Sequence, residues 1–185
     1  DDLVGAERPA DGDGGEATAA SLNTPTGIAV DTLGNLYIVD QNRSIRRVDA
    51  SGTITTVTGM VADSIAVDAA GNLYFADSGG PRVRRLDATN GGITTVAGDG
   101  TSGYAGDGGP AINASLSSPI GLAVDAAGNV FIAQQGSHRV RKVGPAGGWF
   151  DQTPPSVVAD VTGFVNDNGW FRSDVGVTWT VSDPD

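Results

Sequence analysis

Cysteine is absent from this 185-residue chain, which excludes a disulfide framework and any thiolate metal site. Histidine is almost absent: His138 stands alone. One imidazole can build neither a multi-histidine metal centre nor, without a placed nucleophile, a Ser-His-Asp set. No apolar run reaches the roughly 18 residues a membrane helix needs, so membrane insertion is not expected. Positive charge is scarce as well. Eleven basic residues face 22 acidic ones, a net charge of -11, which repels phosphate backbones and anionic surfaces. Aromatic residues make up only 6%, and none alternate with the arginines as base-stacking platforms would. Nucleic acid is therefore not an expected partner.

Glycine, by contrast, is plentiful, with 28 residues, and it punctuates a repeat. Pro119 to Ala133 holds two apolar runs of strand length around an Asp-x-x-Gly-Asn turn, and close copies run from Pro25 to Val39 and from Asp63 to Ala76. Each copy reads as one β-hairpin, in which Gly supplies a positive φ and the Asp carboxylate accepts backbone N–H groups. The hairpins are followed by third strands, Ser44 to Asp49, Arg82 to Asp87 and Arg139 to Val143, and the first two also by fourth strands, Thr53 to Val57 and Ile93 to Val96. Their Thr, Ile and Val content suits a pleated, half-buried surface. Four antiparallel strands followed by a connection to the next copy make the unit of a β-propeller blade. The chain holds two such units and most of a third. Nine of the basic residues fall in or beside third strands, where they are expected to pack their stems on the blade and pair with Asp40, Asp49, Asp77 and Asp87.

The turn aspartates, Asp31, Asp68 and Asp125, are unevenly spaced because an insert, Gly98 to Pro119, precedes the third hairpin. A relative of it, Asp11 to Pro25, precedes the first, and the second lacks one. Both inserts run from a Gly-rich loop into Ala17, Ala20 and Leu22 or Ala111, Ala114 and Leu116, then Pro. One helical turn that tucks its Leu against the blades is expected, with Pro110 suited to its first position. Asp11, Asp13 and Asp107 are candidate calcium ligands. Neither loop has the alternating oxygens and distal Glu of an EF-hand, and turn chemistry is the preferred reading.

The repeated Gly-Ile/Leu-Ala-Val-Asp-x-x-Gly-Asn motif, with Arg-Val/Ile-Arg-Arg/Lys-Val about ten residues on, resembles the NHL repeat family of β-propellers, and the Gly-Asp-Gly-Gly version resembles the long repeats of bacterial secreted and surface proteins. Two positions depart from the pattern: Ser64 replaces Gly27 and Gly121, and Gln134 replaces Asp40 and Asp77. The resemblance implies a fold more firmly than an activity. Relatives include protein-binding and RNA-binding modules and metal-dependent lyases and hydrolases, and fold alone does not choose among them.

The repeat stops after Gly147, and Asp151 to Pro155 reads as a linker. Ser156 to Val161 and Asp174 to Ser182 alternate apolar and polar residues as strands do, and Gly169 to Asp183 resembles the opening of bacterial immunoglobulin-like domains. Such domains need about 100 residues, so the segment reads as truncated, with Trp170 and Trp179 as core residues. The expected organisation is all-β: partial propeller blades over 1–148, a linker over 149–155, and the start of an immunoglobulin-like domain over 156–185.

The expected function is non-catalytic binding of a protein or glycan, outside the cell or on a bacterial surface, without a resident cofactor unless calcium. The alternatives are a lactonase-like or peptidylglycine-lyase-like propeller with ligands elsewhere, and a structural spacer. Strand parity puts the inserts and the connections between second and third strands on one face. Tyr104, Arg43, Asn42, Gln135 and His138 are the binding candidates there, together with Gln41 and Ser78, because variable loops on a rigid scaffold carry recognition. Three blades cannot close a conventional ring of four to eight. Two apolar blade faces are therefore expected to lie open and to favour self-association.

Overall fold

The computed structural model describes residues 12–40, 44–77 and 79–144, and the backbone of 156–162 and 176–182. The first blade is β1 (Pro25–Val30), β2 (Leu36–Asp40), β3 (Ser44–Val48) and β4 (Ile54–Thr58), hydrogen-bonded in that order. The second repeats it as β5 (Ala62–Val67), β6 (Leu73–Asp77), β7 (Arg82–Leu86) and β8 (Ile93–Ala97). The third has three strands among the described residues, β9 (Pro119–Val124), β10 (Val130–Gln134) and β11 (Arg139–Val143). All pairings are antiparallel, and each first pair carries a bulge at the same place, between Pro25 and Gly27, Ala62 and Ser64, and Ala133 and Gln134. The repeated bulge bends each first hairpin alike. Strand β1 lies beside β5, and β5 beside β9, so the first strands stand side by side as around a propeller axis.

The hairpin turns form for the reason the sequence implies. Asp31 Oδ1 accepts the backbone N–H groups of Leu33 and Asn35, both at 2.9 Å, while its Oδ2 accepts the Asn35 amide at 2.7 Å and the Tyr37 hydroxyl at 3.2 Å. Asp68 repeats this set with Ala70, Asn72 and Tyr74. Asp125 bonds Ala127 and Asn129 in the same way, and Phe131 stands at the tyrosine position. Gly34, Gly71 and Gly128 have φ between 82° and 85°, a region only glycine enters without strain.

Packing lies between blades. Along each inner hairpin one set of side chains faces the preceding blade and the alternate set faces the following one. Tyr37, Val39 and Ile45 of the first blade join Ile65, Leu73 and Phe75 of the second in one buried cluster. Tyr74 and Val83 of the second join Val130 and Ile132 of the third in another. Ser64, the departure at a glycine position, turns its hydroxyl across this second junction and accepts the Leu122 N–H at 3.1 Å.

Both inserts are ordered parts of the blades. Each ends in one turn of 3-10 helix, Ala17–Ala19 and Ala111–Asn113, and Pro110 is the residue before the second. A Cβ on Gly12 would lie 2.7 Å from the Ala20 Cβ, and one on Gly106 2.7 Å from the Ala114 Cα. The loop thus rests directly on its own helical turn, which explains the paired glycines and alanines. The expected burial of the insert leucine holds for Leu116, fully buried, but not for Leu22, 40% exposed. Leu116 has the second blade to pack on; no described blade precedes Leu22.

The remaining unit pairs β12 (Ser156–Thr162) with β13 (Gly176–Ser182) in antiparallel register, Ala159 opposite Trp179. These are the strands expected from the alternation. Trp170 lies outside the described residues, and two strands alone do not make a sandwich.

Candidate functional site

Among the described residues, the second insert meets the connection between β10 and β11 at one end of the third blade, and the Asp125 turn lies at the other. In the third blade the N–H of Gln135 donates to the Ser118 carbonyl at 3.0 Å, and that of Gly136 to the Ser117 carbonyl at 3.2 Å. One further bond explains the second sequence departure. Gln134 Oε1 accepts the Ser117 N–H at 2.7 Å, as Asp40 Oδ1 accepts the Asn23 N–H at 2.7 Å in the first blade. The position requires an acceptor for the last turn of the insert rather than a charge, so glutamine serves. Ser118 and Thr24, the next residues in each insert, both adopt positive φ, 47° and 50°.

The third-strand arginines divide by blade type. Arg84 of the second blade pairs with Asp77 at 3.0 Å, and Arg85 and Arg47 approach Asp87 and Asp49 at 3.1 Å and 3.9 Å, as expected. The expected surface rows fail at Arg46 and Arg141. Both are buried, and each reaches into an insert, Arg46 to Asp13 at 2.8 Å and Arg141 to Asp107 at 2.5 Å. Arg141 also donates to the carbonyls of Ser115 and Ala105. Asp13 and Asp107, two of the three calcium candidates, thus already face a guanidinium; the third, Asp11, lies outside the described residues. No group of three or more His, Cys, Asp or Glu converges among the described residues. Burial raises the Asp13 pKa, but bonds from Thr56 and Arg46 outweigh it and hold the carboxyl below its usual 3.8.

Tyr104 lies back on the blade rather than projecting from its loop. Its hydroxyl donates to Asp107 at 2.5 Å, which raises the phenol pKa above 10.0. The Arg139 guanidinium covers its ring, 3.9 Å from the centroid, and that of Arg141 lies at 5.2 Å. The ring is still 45% exposed. Beside it a shallow depression of ≈ 300 Å³ is lined by Ile120, Ala133, Gln134, Gln135, His138, Arg139 and Val140. His138, in a left-handed conformation (φ 55°), ends the short turn Gln135–Ser137. Arg139 therefore links Tyr104 to Gln135 and His138, three of the five binding candidates. Arg43 and Asn42, with Gln41 and Ser78, lie outside the described residues. In the sequence Arg139 is indistinguishable from the other basic residues of its third strand; the one signal that sets it apart is the aromatic on the glycine-rich insert, Tyr104.

The profile of the Teneurin NHL domain matches residues 5–64. Over 48 residues the chain is 52% identical to Teneurin-1 of Gallus gallus, 56% to Teneurin-1 of Mus musculus and 52% to Teneurin-4 of Homo sapiens. Each of these matches covers 26% of this chain and 2% of the teneurin's length. Among solved structures, a nidogen/laminin complex aligns with 73% of this chain and 52% of its own (TM-score 0.56, 18% identity). A gluconolactonase from Xanthomonas campestris aligns with 73% of this chain and 50% of its own (TM-score 0.55, 20% identity). Similarities this low in sequence establish the fold alone. The four-stranded sheets, the repeated turns and these matches agree: the chain carries NHL-repeat β-propeller blades.

Proposed function

We propose that these blades form a non-catalytic binding module that recognises a protein or glycan through the face carrying the long inserts. The observation that carries the reading is the convergence of half-exposed Tyr104, Arg139, Gln135 and His138 on a surface held by buried Arg141–Asp107 pairing. Aromatic and arginine side chains on an ordered platform lose little freedom on binding. A single histidine in the sequence also favours binding over metal-dependent hydrolysis. The proposed setting is extracellular. The matched teneurins come from animals and the matched gluconolactonase from a bacterium, so a bacterial surface is one form of this proposal. A screen of the chain against arrays of glycans and extracellular proteins tests it. Binding that falls at least tenfold in Tyr104→Ala together with Arg139→Ala, with the urea midpoint little changed, is the expected result. Turnover of a lactone or peptidylglycine substrate that His138→Ala abolishes would overturn it.

A further inference from the structure

The outermost strand of the first blade, β4, has its free edge covered by the first insert, which runs antiparallel to it with Glu16 opposite Thr53. The Gly14 N–H donates to the Ile54 carbonyl at 2.8 Å, the Ile54 N–H to the Gly15 carbonyl at 3.0 Å, and the Ala17 N–H to the Gly52 carbonyl at 2.8 Å. Asp13 completes the pairing. One of its carboxylate oxygens accepts the Thr56 N–H at 3.1 Å, and the other accepts Arg46 Nη2 at 2.8 Å. The insert thus serves as a short fifth strand.

The second blade repeats this edge without the cover. Leu86 lies opposite Ile93 and Arg84 opposite Thr95, where the first blade has Val48 opposite Ile54 and Arg46 opposite Thr56. The turns match as well: Gly52 and Gly91 have φ of 86° and 71°, and each donates its N–H to the carbonyl of the turn aspartate. Only residues 59–61 separate β4 from β5, so no insert precedes this blade. Exposure follows from that difference. Ile54 is 1% exposed and its counterpart Ile93 40%, and Gly91, Gly92 and Thr94 are exposed with it. The second blade has a described blade on each side, so this open edge belongs to its periphery and not to a face between blades.

Strand β8 is also chemically fit to accept a further strand. Ile93–Ala97 carries no charge and no proline, two of the devices that blunt an exposed edge. Its bulge lies beyond Thr95, which leaves Gly91 to Thr95 regular. A segment laid on it as the insert lies on β4 meets the carbonyls of Gly91 and Ile93 and the N–H groups of Ile93 and Thr95. Arg84 stands opposite Thr95. It gives Nε to Asp77 and Nη1 to the Thr95 hydroxyl, which leaves Nη2, among the described residues, for an incoming carboxylate. That is the nitrogen Arg46 gives to Asp13.

We infer that the outer edge of β8 docks an extended segment of a partner protein, added antiparallel as a fifth strand, with an aspartate at the position of Asp13 and two small residues after it. Backbone bonds to the edge supply the affinity, and the aspartate, set against Thr95 and Arg84, fixes the register. The inference does not rest on the binding reading of the insert face.

A capped synthetic peptide with the sequence of residues 12–20 is the probe, because that segment fits the equivalent edge of the first blade. Titrated into the full chain and followed by amide NMR shifts, it is expected to move Ile93, Thr94 and Thr95 saturably. Methylating the peptide nitrogen at the Gly14 position removes the donor to the Ile93 carbonyl and leaves the protein unaltered; it is expected to weaken binding about tenfold. Asp13→Asn in the peptide is expected to weaken it as well. Ile93→Pro in the chain removes an outward N–H that an edge strand can lose, and is expected to abolish the shifts while the rest of the amide spectrum is kept. No saturable shift at millimolar peptide, equal binding of the methylated or Asp13→Asn peptide, shifts confined to residues 52–56, or binding retained in Ile93→Pro would each overturn the inference. So would amides of Ile93 and Thr95 already protected from exchange without peptide, whether by the chain's own residues or by a second copy.

Discussion

At the scale of single residues the repeated aspartate governs the hairpin turns, and its ionisation links them to pH. Partial burial raises the Asp31 pKa, but bonds from Asn35, Leu33 and Tyr37 outweigh it, so the carboxyl titrates below 3.8. The Asn35-type bond is the leading cause at Asp125, from Asn129. A carboxyl whose folded pKa is depressed contributes stability that is complete above the unfolded value and is lost as pH falls through the folded one. Burial, then Asp31, raises the Tyr37 phenol above 10.0. Its contribution is complete below that value and is lost as pH rises past it. Stability should therefore be flat between about pH 5 and 9 and fall on both sides. In Asp31→Asn the urea midpoint should be lower at neutral pH and should decline less on acidification. An acid decline identical to that of the unaltered chain would contradict the role given to Asp31.

At the scale of elements, the strands were legible because two independent signals agreed: apolar alternation of period two and the Asp-x-x-Gly-Asn turn. The Ala and Leu positions of the inserts were legible because two copies could be compared. The buried arginines were not. Arg46 and Arg141 sit in the same Arg-rich strands as half-buried Arg47 and exposed Arg139, and only the fold shows which of these positions the insert buries. Gln134 illustrates the same limit, since substitution of a carboxylate reads as lost charge until its acceptor bond to Ser117 is seen. The insert lock makes a definite demand. Asp107→Ala removes the carboxylate that faces buried Arg141 and keeps its carbonyl acceptors, and should destabilise the chain by roughly 2 kcal/mol, less than a fully isolated buried charge would cost. Asp13→Ala should act similarly through Arg46. Chemical denaturation checks both, and an effect within 0.5 kcal/mol, about that of an ordinary surface substitution, would show that the pairs merely accompany the insert fold.

At the scale of the whole molecule, stability resides in the junctions between blades, since each buried cluster draws side chains from two neighbouring sheets. The repeat made that architecture readable from sequence; what a blade binds was not readable, because the binding candidates lie on connections where the repeats differ. A binding face at that end of the blades requires those connections to be built surfaces rather than loose loops. Amide hydrogen exchange followed by mass spectrometry over residues 98–118 tests this most directly. The N–H groups of Gly98, Asp99, Gly103 and Ser115 donate to carbonyls within the insert at 2.9–3.2 Å. They should exchange at least a hundredfold more slowly than an unstructured peptide, with Asp107→Ala shortening that protection throughout the insert. Exchange at the unstructured rate in the unaltered chain would contradict the claim that the insert is a fixed platform.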